Sequence, residues 1–128
     1  MSGIKTVNSI TGQQLTAAAG EETVLLTLDG ATPVAAISVP AGTNLVITDI
    51  MLGGPANTMW RLQQANDGAT WFDIALFNIT SSATISTPIH TFNTGLVING
   101  GPLVAFRLRV ETPFNIVAIA TLRAYSES

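Results

Sequence analysis

The chain has 128 residues, no cysteine, 10% charged residues and a formal net charge of −3. That length suits one domain with a core of its own, and the missing cysteines exclude disulfides and thiolate chemistry. Five scattered cations, Lys5, Arg61, Arg107, Arg109 and Arg123, argue against the basic patch of a nucleic-acid binder.

Hydrophobic residues make up 47%, an ordinary share, yet a typical soluble domain carries about 25% charged residues. Mean hydropathy is +0.43. A surface this poor in charge points to partners that cover part of it. From Ile74 to Phe106 there is no Asp, Glu, Lys or Arg, and His90 is the one titratable side chain. That run is no membrane span. Asn78, Thr80, Ser81, Ser82, Pro88, Asn93, Gly95 and Gly100 interrupt the roughly 20 apolar residues a span needs. The N-terminal segment lacks the apolar stretch of a secretory signal. The expectation is a soluble chain with no membrane and no nucleic-acid partner.

Residues 1–21 are rich in Ser, Thr, Gln, Gly and Ala, with Ile4, Val7, Ile10 and Leu15 dotted through them. The spacing 4, 7, 10 fits neither strand alternation nor a helix, so this stretch reads as an extended arm ordered against a neighbour, or as a frayed tail. A short helical turn over Gln13 to Ala19 is one local option. The body, 22–128, begins with Thr23 to Leu28, where Val24, Leu26 and Leu28 share one face. Asp29-Gly30 ends it with a turn. Pro33 to Val39 reads as a second strand edged by prolines, and Asn44 to Leu52 as a strong strand with apolar residues on both faces.

Met59 to Gln64 and Trp71 to Phe77 flank Asp67-Gly68 and predict a hairpin. On its second run Phe72, Ile74 and Leu76 share a face opposite Asp73. Ala83 to Ser86, Ile89 to Phe92 and Leu96 to Ile98 are short segments. Val104, Phe106, Leu108 and Val110 then point one way, with Ala105, Arg107 and Arg109 the other. After the turn at Thr112 to Asn115, Ile116 to Ala124 is apolar on both faces. Eight to ten short strands, turn signals every 8 to 12 residues or so and no helix predict one all-β domain, an antiparallel sandwich or barrel.

Sites of chemistry are scarce. His90 has only Ser86, Thr87 and Thr91 nearby in sequence, so it reads as a hydrogen-bonded or surface histidine rather than a zinc ligand or general base. No Gly-x-Ser-x-Gly elbow is present. Asp49, Asp67, Asp73 and Glu111 are the candidates for paired carboxylates, but Asp67 is explained by a turn and Asp49 by a strand's solvent face. Gly53-Gly54 and Gly100-Gly101 lack the Lys and Ser/Thr of a phosphate loop. Trp60, Trp71 and Tyr125 form either a sugar-stacking platform or core aromatics. Arg107 and Arg109, with Arg123 on an adjacent strand, form either a cluster pairing with acids of a neighbouring subunit or a solvated sheet face.

The segments VPAGTNLVITDIML, NDGATWFDI and FNTGLVINGGPLVAFRLRVETPFNIVAIATL resemble jelly-roll domains of tailed-phage virion proteins, above all capsid decoration, or cement, proteins and related fibre-tip domains. The likeness lies in the order of features over about residues 37 to 124 and includes no catalytic residue. It implies a single jelly-roll sandwich with an N-terminal arm, forming a trimer on the exterior of a phage capsid and partnered by the major capsid protein. No enzyme activity, cofactor or metal is expected. The expected subunit contact comprises Ile4, Val7 and Ile10 on the arm, Leu45, Ile47 and Met51, Val117 and Ile119, and Arg107, Arg109 and Arg123. The alternative is a fibre-tip or carbohydrate-binding module that uses Trp60, Trp71 and Tyr125.

Overall fold

The computed structural model of the chain describes residues 5–15, 20–53, 58–79, 89–112 and 117–127. Among these residues there are nine strands and no helix: β1 Lys5–Leu15, β2 Gly20–Leu28, β3 Ile37–Ser38, β4 Asn44–Gly53, β5 Thr58–Ala65, β6 Phe72–Ile79, β7 Ile89–Asn99, β8 Ala105–Thr112 and β9 Val117–Glu127. Every pairing is antiparallel. The strands form one curled sheet, a half-barrel, in the order β6-β5-β8-β2-β1-β9-β4-β7, with β3 on β8.

The pairing is nested. β5 pairs β6, β4 pairs β7, β2 pairs β8 and β1 pairs β9, each pair enclosing the previous one in sequence. The halves meet at β2. Its residues 20–24 pair with β8, and 25–28 pair with β1. Gly12 of β1 lies at this bend, where an added Cβ would sit 2.7 Å from Val24 Cγ1 and 2.9 Å from Leu26 Cδ2. The curl turns one face of both halves onto a shared core of Ile10, Val24, Leu26, Leu45, Ile47, Ile50, Leu52, Trp60, Leu62, Phe106, Leu108, Val110 and Leu122 among others.

Residues 5–15, expected within an extended arm, are β1, paired along its length with β9 and over residues 10–13 with β2. The alternation was hidden because the inward positions carry Asn8, Ile10 and Gly12, of which only Ile10 is a large apolar residue. The helical turn proposed for 13–19 is strand up to Leu15, and the rest of it lies outside the described residues, as do Ile4 and the Ala83 to Ser86 segment.

β4 contains a bulge. The register with both β7 and β9 shifts between Ile47 and Asp49, which moves the inward set from Leu45 and Ile47 to Ile50 and Leu52. A straight alternation therefore made both faces look apolar when one set of side chains fills the core. β6 also bulges, at Ile74, where Leu62 faces Ala75 and Gln63 faces Asp73. Phe72, Ile74 and Leu76 consequently do not share a face: Phe72 and Leu76 are exposed, while Ile74 packs against the core.

The expected strand over 33–39 reduces to a bridge and β3. Val34 exchanges two backbone bonds with Leu26 (2.7 and 2.8 Å), and the chain then bends to place Ile37 and Ser38 on β8. This return follows a type I′ turn. Asp29 and Gly30 have φ of 49° and 79°, and Ala31 N–H donates to the Leu28 carbonyl at 2.9 Å. The Asp29 carboxylate then reaches β1, accepting from Ser9 N–H (2.7 Å) and Asn8 Nδ2 (2.8 Å). These bonds hold its pKa below the usual carboxylate value.

The β5–β6 loop is similarly self-supporting. Asp67 Oδ1 accepts the N–H groups of Thr70 (2.7 Å) and Ala69 (2.9 Å), which lower its pKa from 3.8 to about 2. A carboxyl whose folded pKa is depressed stabilises the fold above its unfolded pKa and loses that contribution as pH falls through the folded value. The stability gap between the wild type and Asp67→Asn should therefore be constant above about pH 5 and should close between about pH 4 and 2. Urea titrations at several pH values measure it; a gap that persists unchanged at pH 2 contradicts the assignment.

Candidate functional site

The outward side chains define two surfaces, one on each half of the sheet. On β1-β9-β4-β7 the register aligns Val7, Tyr125, Val46 and Val97 in one row across four strands. Val7 is 84% exposed and Val97 48%, while Val46 is only 4% exposed between its neighbours and Tyr125 is half-buried. The next row is polar. Ser9, Arg123, Asp49 and Thr91 align, and Thr91 Oγ1 donates to Asp49 Oδ1 at 3.0 Å. Met51 follows at the same outward parity, half-buried. An apolar row bordered by hydroxyls and one opposed charge pair has the chemistry of a contact surface.

On β2-β8-β5-β6 the outward face carries Arg61, Arg107 and Arg109, three of the five cations. Arg109 stands directly opposite Arg61, and Arg107 opposite Gln63. Arg107 lies 4.3 Å above the Trp71 ring, a cation–π contact, and its Nε donates to Gln63 Oε1 at 2.8 Å. Gln63 Nε2 and Arg61 Nη1 both donate to Asp73, at 2.9 Å each. Arg109 Nη1 donates to Thr23 Oγ1 at 3.0 Å. The guanidinium groups are thus oriented along the sheet by their neighbours.

Several sequence expectations change on this geometry. Ile10, Leu45 and Ile47, expected at a subunit contact, fill the chain's own core, because the other half of the sheet covers their face. Val117 and Ile119 lie on β9, but their side chains fall outside the described set. Arg123 is not beside Arg107 and Arg109: β9 sits between β1 and β4, whereas β8 is flanked by β2 and β5. The neighbour that the pairing brings to Arg109 is Arg61, which the sequence offered only as a scattered cation.

The three aromatic residues do not form a platform. Trp60 is fully buried, Trp71 has Arg107 over its ring, and Tyr125 is on the other half of the sheet. His90 lies on β7 opposite Ile50. The acids are dispersed, with Asp49 on β4, Asp67 in the β5–β6 loop, Asp73 on β6 and Glu111 on β8. Among the described residues no group of three metal-ligating side chains occurs, and no helix is long and apolar enough to cross a membrane.

Recesses are also present among the described residues. A shallow groove of about 460 Å³ is lined by Thr11, Leu25, Thr27, Pro33 and Thr121 with Gly12 and Ala120 at its base. A smaller one, about 170 Å³, opens between Leu28, Ile37, Val39, Leu45, Asn8 and Ser126. Its amide is already engaged, with Asn8 donating to Asp29 and accepting from Ser126 Oγ. Typical small-molecule pockets span roughly 300–1,000 Å³ and converge a few polar groups; the smaller recess falls short of that volume, and the larger one is an open groove.

No protein-family model matches the chain, and no curated protein matches its sequence.

Proposed function

We propose that this chain is a structural protein of a tailed-phage virion, a trimeric decoration protein that clamps the exterior of the capsid. Its fold on this reading is a jelly roll. Without the two-residue β3, eight strands fall into two groups of four, β1-β9-β4-β7 and β2-β8-β5-β6, and their nested pairing is the winding expected of two Greek keys. The observation that carries the functional reading is the apolar row Val7, Tyr125, Val46 and Val97, exposed at its two ends Val7 and Val97, on a chain with only 10% charged residues. Such a row is suited to docking on the major capsid protein, where area buried across subunit junctions opposes expansion of the shell. The carbohydrate-binding alternative is not supported by Trp60, Trp71 and Tyr125, which do not share a surface.

The test is localisation on particles. Virions induced from the source cells should bind gold-labelled antibody to this chain over their heads, and the purified protein should sediment as a trimer at micromolar concentration. Val7→Asp changes a side chain that is 84% exposed, so the fold should survive. Burying an unpaired carboxylate at the contact costs more than the ~1.4 kcal/mol that corresponds to a tenfold loss. Particle-bound protein should therefore fall about tenfold or more. Particles that carry no label, or a clean monomer in solution, overturn the reading.

A further inference from the structure

The outer face of β1-β9-β4-β7 is laid out in consecutive rows. The apolar row of Val7, Tyr125, Val46 and Val97 lies between a polar row of Ser9, Arg123, Asp49 and Thr91 and a row that includes Glu127, Asn44 and Asn99. An apolar centre inside a polar rim is the anatomy of a protein–protein contact. One side chain of that rim differs from the other arginines of the chain. Arg61 is held by Asp73, Arg107 by Gln63 and the Trp71 ring, and Arg109 by Thr23. Arg123 is exposed, and among the described residues its guanidinium has no hydrogen-bond or ion-pair partner. The sheet does bring a carboxylate to it. Asp49 stands directly opposite on β4, yet its two oxygens accept from Thr91 Oγ1 and Thr48 Oγ1, each at 3.0 Å. The nearest acid in register is thus turned to hydroxyls, and a cation is left open beside the apolar row.

We propose that Arg123 selects the partner of this face, and that the surface it docks on carries an Asp or Glu side chain beside an apolar strip. The inference rests on the capsid reading and names the chemistry that the capsid protein has to present. Val7 and Val97 fit any apolar strip, so they supply area without choice. The charge supplies the choice. A guanidinium drawn into such a contact without an anion loses its hydration uncompensated. A carboxylate placed against it accepts two parallel N–H bonds from the planar fork. Charges around a contact fix its register and exclude wrong partners, because like charges set against each other are strongly unfavourable. Asp49 does not meet this need from within the chain, since both its oxygens are engaged. The face is therefore matched to an acidic, partly apolar surface and mismatched to a basic one.

Binding of the purified full chain to particles assembled without it tests the proposal. In about 0.1 M salt, where the Debye length is about 10 Å, Arg123→Glu should lower particle-bound protein by about tenfold or more, because it sets like charges against each other. Arg123→Gln should lower it less, and Arg123→Lys, which keeps the charge but loses the fork, least of all. In about 1 M salt, where the Debye length is about 3 Å, the wild type should fall to the level of Arg123→Gln. The side chain is exposed, so the variants should fold, and urea midpoints equal to that of the wild type would confirm it. Arg123→Glu that binds as well as the wild type overturns the proposal; if Val7→Asp still removes binding in the same assay, the capsid reading stands without it. A wild type that binds no particle removes the capsid reading and this proposal together. A sedimentation mass of the free protein that falls with Arg123→Glu places the carboxylate in a second copy of the chain, and that also overturns the proposal.

Discussion

Replacing Trp60 with alanine is expected to destabilise the fold by about 3–5 kcal/mol. The ring is fully buried, and its register neighbours Phe77 on β6 and Val110 on β8 are buried with it. β5 is held on both sides by paired strands, so the backbone has little freedom to collapse into the space left behind, and the cavity term adds to the lost transfer energy. The indole has one defect: its Nε1 is buried without a hydrogen-bond acceptor. An unsatisfied donor of this kind costs about 1–3 kcal/mol, so Trp60→Phe, which removes it while keeping an aromatic ring, should cost under about 1.5 kcal/mol. Urea unfolding separates the two variants. A Trp60→Ala loss below about 1 kcal/mol, the ordinary effect of a point substitution, would show that the ring is not part of a packed core. In both variants the remaining fluorescence comes from half-buried Trp71 and should be red-shifted from the wild type.

Gly100→Ala should be of similar size. A Cβ built on Gly100 would lie 1.9 Å from the Pro40 carbonyl oxygen and 2.1 Å from that of Thr43. Both obstacles are backbone, so no rotamer change relieves them. The backbone there is also tied. Gly100 N–H donates to Thr43 O (2.8 Å), Gly101 N–H to Val39 O (3.0 Å), Val39 N–H to Val104 O (3.0 Å) and Thr43 N–H to Pro40 O (3.1 Å). Making room for a methyl group means separating the Pro40–Thr43 turn from the Gly100–Val104 turn and giving up part of that set. Overpacking typically costs about 1–3 kcal/mol, and this site should reach the top of that range or exceed it. At about 4 °C per kcal/mol for a domain of this size, the melting temperature should drop by roughly 12 °C or more. Gly30→Ala offers a contrast, because its Cβ would meet nothing within 4 Å and its penalty comes from φ alone. Equal losses at the two positions would argue against the close approach at Gly100.

Much of the fold was legible from side-chain order. Val24, Leu26 and Leu28 against Thr23 and Thr27, and Val104 to Val110 against Ala105, Arg107 and Arg109, take the faces that their alternation assigns. The turns at Asp29-Gly30 and at Asp67-Gly68 fall where the residues place them, and their carboxylates are engaged in holding them. β1 escaped detection because its inward positions include an asparagine and a glycine. Asn8 is tolerated there because its amide is bonded to both Asp29 and Ser126, and Gly12 because the sheet bends over it. Neither reason is visible along the chain.

The candidate surfaces follow the same division. Local sequence determined that this protein is strand-rich, poor in charge and without a recognisable set of reacting groups, because strand period, turn chemistry and composition are properties of neighbours in the chain. The tertiary structure decided which apolar residues remain outside. The bulge between Ile47 and Asp49 sends Leu45, Ile47, Ile50 and Leu52 all inward and leaves Val46 in a row with Val7, Tyr125 and Val97. It also paired Arg109 with Arg61 and separated both from Arg123. Bulges and strand partners are set by backbone hydrogen bonds between residues tens of positions apart, which any side-chain pattern of the right period satisfies equally well.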